Sequence, residues 1–317
     1  MSISGLDEVT WQALARRIGK TQLRQRLGVE TAHEADRLGQ GRNVLHIENW
    51  RLFRQAVGGA LAIAGLAGRG RRNVLDIRVR HNRVVLPNLP AQFDGFTLLQ
   101  ISDPHFDCLP QFPHRLAELV RDLDYDVCVF TGDYRFQTHG PYQAALDAMA
   151  VVRGQLRESV YAILGNHDSL RMITPIESLG IRLLINESIA LQRGEATIHL
   201  AGVDDPHYFA VDNLNAAGAD IPDDAVSILL AHSPEIYRNA AYAGFDLMLC
   251  GHTHGGQMCL PGGIALTYNS AAPRFVGRGV WRFAGMQGYT SAGTGSSVVV
   301  ARFNCPPEVT LHHLHRV

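Results

Sequence analysis

The chain has 317 residues, 46% of them hydrophobic and 19% charged, with a formal net charge of −1. That is an ordinary globular composition, long enough to bury one large α/β core with a smaller appendage. Five scattered cysteines, Cys108, Cys128, Cys250, Cys259 and Cys305, form no Cys-x-x-Cys pair, which speaks against a disulfide framework or a thiolate zinc site and fits a reducing compartment.

The near-neutral total hides an asymmetry. Residues 1–80 carry 14 basic and 7 acidic side chains, a net of +7, against 15 and 23, a net of −8, in the remainder. Trp11, Leu14 and Ile18 stand at helical spacing with Arg16, Arg17, Lys20, Arg24 and Arg26 around and beyond them, which predicts an amphipathic, arginine-rich helix. Residues 56–68 are uncharged, with arginines before and after. At thirteen residues the run is shorter than the ~20 a spanning helix needs, and its position argues against a cleavable signal peptide. It reads equally as a small-residue helix packed on the main domain or as a segment lying on an anionic membrane surface. Arginines without interleaved aromatics bind phosphate only generically, so nucleic acid is not the expected partner. The expected division is a basic helical appendage over 1–72 and a main domain over 73–317. The expected location is cytoplasmic, with peripheral contact to the inner face of the membrane as the variant the appendage allows.

From Leu75 onward strands alternate with helices. Residues 77–85 alternate apolar with basic residues, as an exposed strand or hairpin would. Residues 96–102 predict a strand that runs into Asp103-Pro104-His105, and a helix from about His114 follows. Residues 127–131 predict a strand ending at Gly132-Asp133. After a helix over 143–153, residues 160–164 predict a strand ending at Gly165-Asn166-His167-Asp168. Thr174-Pro175-Ile176-Glu177 reads as the start of a short helix, with a capping box and proline at its first position. Residues 183–186 and 197–203 predict further strands, the latter opening into Asp204-Asp205-Pro206-His207. Residues 226–231 end at His232, and a helix from Ser233 closes at Gly244. The last run, 245–250, ends at Gly251-His252-Thr253-His254, where an extended segment or loop aims both imidazoles the same way.

Five strand ends thus carry Asp103 and His105, Asp133, Asn166 and His167, His232, and His252 and His254. Ligands gather at the carboxyl ends of strands in open α/β sheets, and Asp, Asn and His together at five of them point to a metal site. Imidazoles mixed with carboxylates suit manganese, iron or zinc rather than calcium or magnesium. Seven candidates exceed what one ion takes, whereas two ions about 3.5 to 4 Å apart and sharing a carboxylate would use them all, an arrangement that activates water for attack on phosphorus.

In that order the blocks Asp103-x-His105, Gly132-Asp133, Gly165-Asn166-His167-Asp168, His232 and Gly251-His252-x-His254 resemble the calcineurin-like metallophosphoesterases. Phe93-x-Gly95-Phe96, the Gly255-Gly256-Gln257 that follows the last block, Gly293-Thr294-Gly295 and Pro306-Pro307-Glu308-Val309 resemble the bacterial YkuE-type branch. The resemblance implies a four-layer αββα sandwich of two mixed sheets flanked by helices. It implies one metal held by Asp103, His105, Asp133 and His254, and another by Asp133, Asn166, His232 and His252. His167, with Asp168 beside it, is implied as the group that protonates the leaving oxygen or stabilises charge on the phosphoryl group. After Asp133 the sequence departs from the family pattern, and Arg135, like His207, becomes a candidate for substrate contact. The branch includes a UDP-2,3-diacylglucosamine pyrophosphatase, and the basic appendage with its apolar run suits such a lipid-linked substrate. The competing expectations are a phosphodiesterase or monoesterase of water-soluble substrates, and a non-catalytic binding scaffold, against which the complete ligand set argues.

Overall fold

The structure, a computed structural model, describes residues 6–37, 51–157 and 159–317; residues 38–50 of the expected appendage lie outside the described residues. Helices α1 (Glu8–Ile18), α2 (Lys20–Arg37), α3 (Arg51–Ile63) and α4 (Ala67–Val74) precede β1 (Arg78–Leu86) and β2 (Thr97–Ile101). The chain continues through α5 (Phe112–Arg121), β3 (Val127–Thr131), α6 (Gln143–Arg153), β4 (Val160–Ile163), α7 (Ile173–Ser178), β5 (Ile181–Leu183), β6 (Glu187–Arg193) and β7 (Ala196–Gly202). It ends with α8 (Leu214–Gly218), β8 (Ser227–Leu230), α9 (Tyr237–Tyr242), β9 (Leu247–Cys250), the short ribbon β10 (Cys259–Leu260) and β11 (Ile264–Ala265), then β12 (Gly279–Phe283), β13 (Met286–Thr290) and β14 (Glu308–Arg316).

Among the described residues the longer strands form two six-stranded sheets, ordered β1-β14-β2-β3-β4-β5 and β12-β13-β9-β8-β7-β6. Strands β2 to β5 run parallel in the first sheet, and β13, β9, β8 and β7 in the second. Most of these strands, such as Val127–Thr131, Ser227–Leu230 and Leu247–Cys250, are largely apolar because both faces are covered. In β2, Leu98 faces a core shared with Val129 and Ile163 of its own sheet and Leu200, Ile228, Leu230 and Leu249 of the other, so the two sheets pack face to face. Its neighbour Leu99 joins Ile101 and Phe130 under α5, α6 and α7. On the far side Ala201, Leu229 and Met248 lie under α9 with Ala240 and Tyr237. This is the four-layer αββα sandwich, and its parallel strands all deliver their carboxyl ends to one edge.

Three local expectations are corrected. Of the two readings of residues 77–85, exposed strand or hairpin, the strand holds and the hairpin does not: β1 pairs in parallel with β14, Arg78 opposite Glu308, so its partner comes from the far end of the sequence. Helix α7 starts at Ile173, which puts Pro175 third, and the capping box at Thr174 does not form because a 3-10 turn capped by Ser169 feeds the helix from Leu170–Met172. The uncharged run over 56–68 is broken at Gly65 between α3 and α4. No helix among the described residues is long and apolar enough to cross a membrane.

The first two helices are docked on the sandwich. Leu14, Ala15, Leu23 and Leu27 are buried in the same core as α5, α6 and α7. Arg17 pairs with Glu177 and with Glu187, and Arg26, fully buried, pairs with Glu30 at 2.6 Å and Asp204 at 3.2 Å. Two of the arginines expected to face outward are therefore spent within the protein.

Candidate metal centre

All seven expected ligands meet at the strand edge and all are buried. Asp103 and His105 follow β2, Asp133 follows β3, Asn166 follows β4, His232 follows β8, and His252 and His254 follow β9. Asp103, His105, Asp133, His252 and His254 sit at positive φ, between 41° and 67°. Non-glycine residues reach that region at a cost, and such strain collects at functional sites. It turns each side chain inward just where the strand ends. Gly251 lets the last turn approach β2, since a Cβ there would run into Ser102 Oγ and the Asp103 carboxylate.

Asp103, His105, Asp133 and His254 offer one close set of ligand atoms, and Asp133, His232 and His252 offer a second. Asp133 Oδ2 stands between them, 3.3 Å from His232 Nε2 and 3.7 Å from His105 Nε2. His254 Nε2 is 3.5 Å from Asp103 Oδ1 and 3.1 Å from His105 Nε2. Asn166 Oδ1 lies 2.9 Å from both His232 Nε2 and His252 Nδ1, which completes the second set.

Backbone carbonyls fix the tautomers. His105 Nδ1–H donates to Arg135 O, His232 Nδ1–H to Thr131 O and His252 Nε2–H to Asn269 O, at 2.8 to 3.0 Å. Each ring is left with its lone pair aimed into the cluster, as a ligating imidazole requires. His254 is held from behind by Arg302, whose Nη2 is 3.2 Å from its Nδ1. Lone pairs and carboxylate oxygens crowded this closely repel one another unless a cation sits among them, so the residues present fit metal ions. Burial opposes charge on His232, yet Asp133 and Asp103 push it up to about 10. A field that holds a proton there also holds a metal cation.

The remaining expected residues divide. His167 is at the site: its Nε2 is 3.8 Å from Asp133 Oδ2, and its Nδ1–H donates to Phe136 O at 3.0 Å. His207 packs against the His252 ring at 4.1 Å between centroids, the planes tilted by 43°, and pairs with Glu235 at 2.9 Å. Asp168 does not sit beside His167 as an acid or base: its carboxylate accepts the amides of Asp133, Tyr134 and Gly165 at 2.8 to 2.9 Å, tying two ligand loops together. Burial first, then repulsion from Asp133, pushes that carboxyl up to about 7, against the amides that favour the anion. Arg135 is likewise no phosphate clamp, because its guanidinium donates to the carbonyls of His167, Thr138 and Gly140. Both corrections share one reason: loops carrying ligands have backbone groups to satisfy, and the nearest charged side chain is used for that.

Sequence reasoning missed Arg302, Arg26 and Glu30. An isolated arginine in a loop gives no signal. The Arg26–Glu30 spacing of four was visible, but it reads as an exposed helix pair until burial is known.

A cavity of about 500 Å³ opens over the cluster. Asp133, Asn166, His167 and His252 form its floor, and Val57, Met258, Leu266, Tyr268, Val298 and Val299 its walls. The profile of the calcineurin-like phosphoesterases matches residues 96–256, a span that holds all seven candidate ligands. The chain belongs to the calcineurin-like phosphoesterase family. It is 26% identical to the uncharacterized metallophosphoesterase YkoQ of Bacillus subtilis, over 77% of this chain and 92% of YkoQ. It is 27% identical to the uncharacterized metallophosphoesterase YkuE of the same organism, over 83% of this chain and 96% of YkuE. With the phosphodiesterase YaeI of Escherichia coli it shares 32% identity over 49% of this chain and 57% of YaeI. As a calcineurin-like phosphoesterase, the chain is a metal-dependent phosphohydrolase, and its buried Asp and His cluster suits a dinuclear metal centre.

Proposed function

We propose that this phosphohydrolase cleaves a phosphodiester or pyrophosphate that carries a lipid, of the UDP-2,3-diacylglucosamine kind. The carrying observation is the cavity: the groups that would act on phosphorus are its floor, while its walls are largely apolar and, among the described residues, hold no lysine or arginine for a second anionic group. Leu266 on that wall is 68% exposed, and the ribbon that ends beside it presents Leu260 and Ile264, also exposed.

Asp103, His105, Asp133 and His254 would hold one ion and Asp133, Asn166, His232 and His252 the other, with manganese favoured over iron or zinc by the mix of nitrogen and oxygen donors. When bound, such ions supply Lewis-acid polarisation of the phosphoryl oxygens and an acidified water as nucleophile. The chain's own part is orientation and proton supply. His167 stands over the bridging carboxylate, and its Nδ1–H is committed to Phe136 O, so a proton on Nε2 requires the charged ring. Burial above all, aided by His105, His232 and Arg135, pushes the His167 pKa down to about 3 against the pull of Asp133. An anionic phosphoester beside it would favour the imidazolium, and in that form Nε2–H can pass a proton to the leaving oxygen. His207, tilted against the His252 ring and paired with Glu235, is the remaining candidate for contact with the leaving group.

The test compares a dispersed lipid-linked pyrophosphate with bis(p-nitrophenyl) phosphate, each with manganese and after chelation. Both activities should vanish on chelation. Leu266→Asp should lower kcat/KM for the lipid substrate about tenfold or more and leave the soluble ester within about twofold, since loss of apolar contact costs about 1–3 kcal/mol. Equal losses on both, or no turnover of the lipid ester by the parent enzyme, would sink the lipid reading.

A further inference from the structure

We infer that Arg26 and Glu30 on α2 are positioning residues that hold the 166–170 loop, and with it Asn166 and His167, in register with the metal centre; the step through His167 rests on the reading above. The two side chains are 0% and 5% exposed although they belong to the basic N-terminal segment. Glu30 accepts from Ser169 Oγ and from the Leu170 amide, both at 2.9 Å. Arg26 Nη2 donates to Asp168 O at 3.0 Å, Nη1 to Glu30 at 2.6 Å, and Nε to Asp204 at 3.2 Å. Its guanidinium also lies on the Phe209 ring, 3.2 Å from the centroid.

One arginine therefore joins two loops at the rim of the centre. The first carries Asn166 and His167. The second, 204–209, carries His207, whose ring rests on His252. Three consecutive residues after His167 are gripped through the carbonyl of Asp168, the hydroxyl of Ser169 and the amide of Leu170, while Arg135 takes the carbonyl of His167 itself. A loop tied at four successive positions has little freedom to turn its imidazole away. A planar fork reaches three acceptors at once where an ammonium reaches them only by giving one up. An ion pair this buried is weak evidence of stabilisation by itself, because desolvation offsets most of its attraction; geometry is what it fixes.

The experiment measures kcat, KM, metal content and thermal unfolding for Arg26→Lys, Glu30→Gln and Ser169→Ala, each alone and combined with His167→Ala. Arg17→Met serves as the control, since Arg17 docks α1 on Glu177 and Glu187 without touching a loop of the centre. Displacing a catalytic group by a fraction of an ångström costs about 10- to 100-fold. Arg26→Lys and Glu30→Gln should lower kcat by that much, with full metal content and KM within about twofold, and should cost nothing more once His167 is already alanine. Arg17→Met should lower the unfolding temperature and leave kcat unchanged. The inference is overturned if Arg17→Met slows turnover as much as Arg26→Lys, if folded Arg26→Lys turns over at the parent rate, or if, with His167→Ala itself slow, the two losses multiply fully. A slow Arg26→Lys beside a His167→Ala of normal rate would sink the proposed acid while supporting the grip, which then acts through Asn166.

Discussion

Asp133 shows how much one residue is asked to do. Oδ1 takes the His167 amide at 2.8 Å, so the proposed bridging group also sets where the next loop begins, while Oδ2 faces three imidazoles. His167, like His207, lacks a place in either ligand set, yet its Nε2 is 3.8 Å from Asp133 Oδ2. His167→Ala should therefore keep its metal by elemental analysis and lose about 10²- to 10⁴-fold in kcat, the range for removal of a general acid. Metal loss in that variant would make His167 a ligand. The ligands themselves were legible because Asp, Asn and His are costly at the end of a buried strand unless something there needs them. Asp168 and Arg135 misled for the opposite reason: a charged residue next to a site looks chemical, and sequence gives no sign of the backbone groups it satisfies. Positive φ at five ligands was likewise invisible, since none of them is glycine.

At the scale of elements, β2, β3, β4, β7, β8 and β9 were read within about two residues, because their runs are buried and mostly apolar; β5 was placed two to three residues late, and β13, Met-Gln-Gly-Tyr-Thr, has no apolar run to read. Helix α6 over 143–153 was read to the residue, from apolar positions that recur at helical spacing. The partners of β1 and β14 could not be read, since pairing between residues more than 200 apart leaves no local pattern. Helices α1 and α2 posed the harder problem. Charge made them look like an appendage, yet Leu23 and Leu27 are 0% and 3% exposed within the core that α5 and α6 build. Leu27→Ala should lower the free energy of unfolding by about 2–5 kcal/mol, the cost of a buried leucine together with the cavity it leaves. Guanidinium denaturation checks this. A shift under about 0.5 kcal/mol would mean that α2 is an ornament on the sandwich rather than part of it.

At the scale of the molecule, the question is which surface would meet a lipid. Arg17 and Arg26 are engaged internally, so the positive charge of the first helices is smaller than the sequence count implies. Apart from Val9 on α1, exposed apolar side chains include Ile63 at the end of α3, Leu66 just before α4, and Leu260, Ile264 and Leu266 on and beside the ribbon, with Arg69, Arg71 and Arg72 exposed on α4. Val57 of α3 and Leu266 of the ribbon line the same cavity, which places apolar surface and active site on one side. Shallow insertion of such side chains, helped by about 1 kcal/mol per arginine near anionic headgroups, is enough for reversible binding that weakens with salt. Removing residues 1–72 would not test this, because Leu14, Leu23 and Leu27 would leave the core with them. Point changes do. Full-length protein should co-sediment with anionic vesicles at low salt and release at high salt. Ile63→Asp with Leu266→Asp should abolish binding at both, and Arg69, Arg71 and Arg72→Gln should remove only its salt-sensitive part. Vesicle binding that survives the paired aspartates would place the membrane contact on another face, and the cavity would then have to take its substrate from solution.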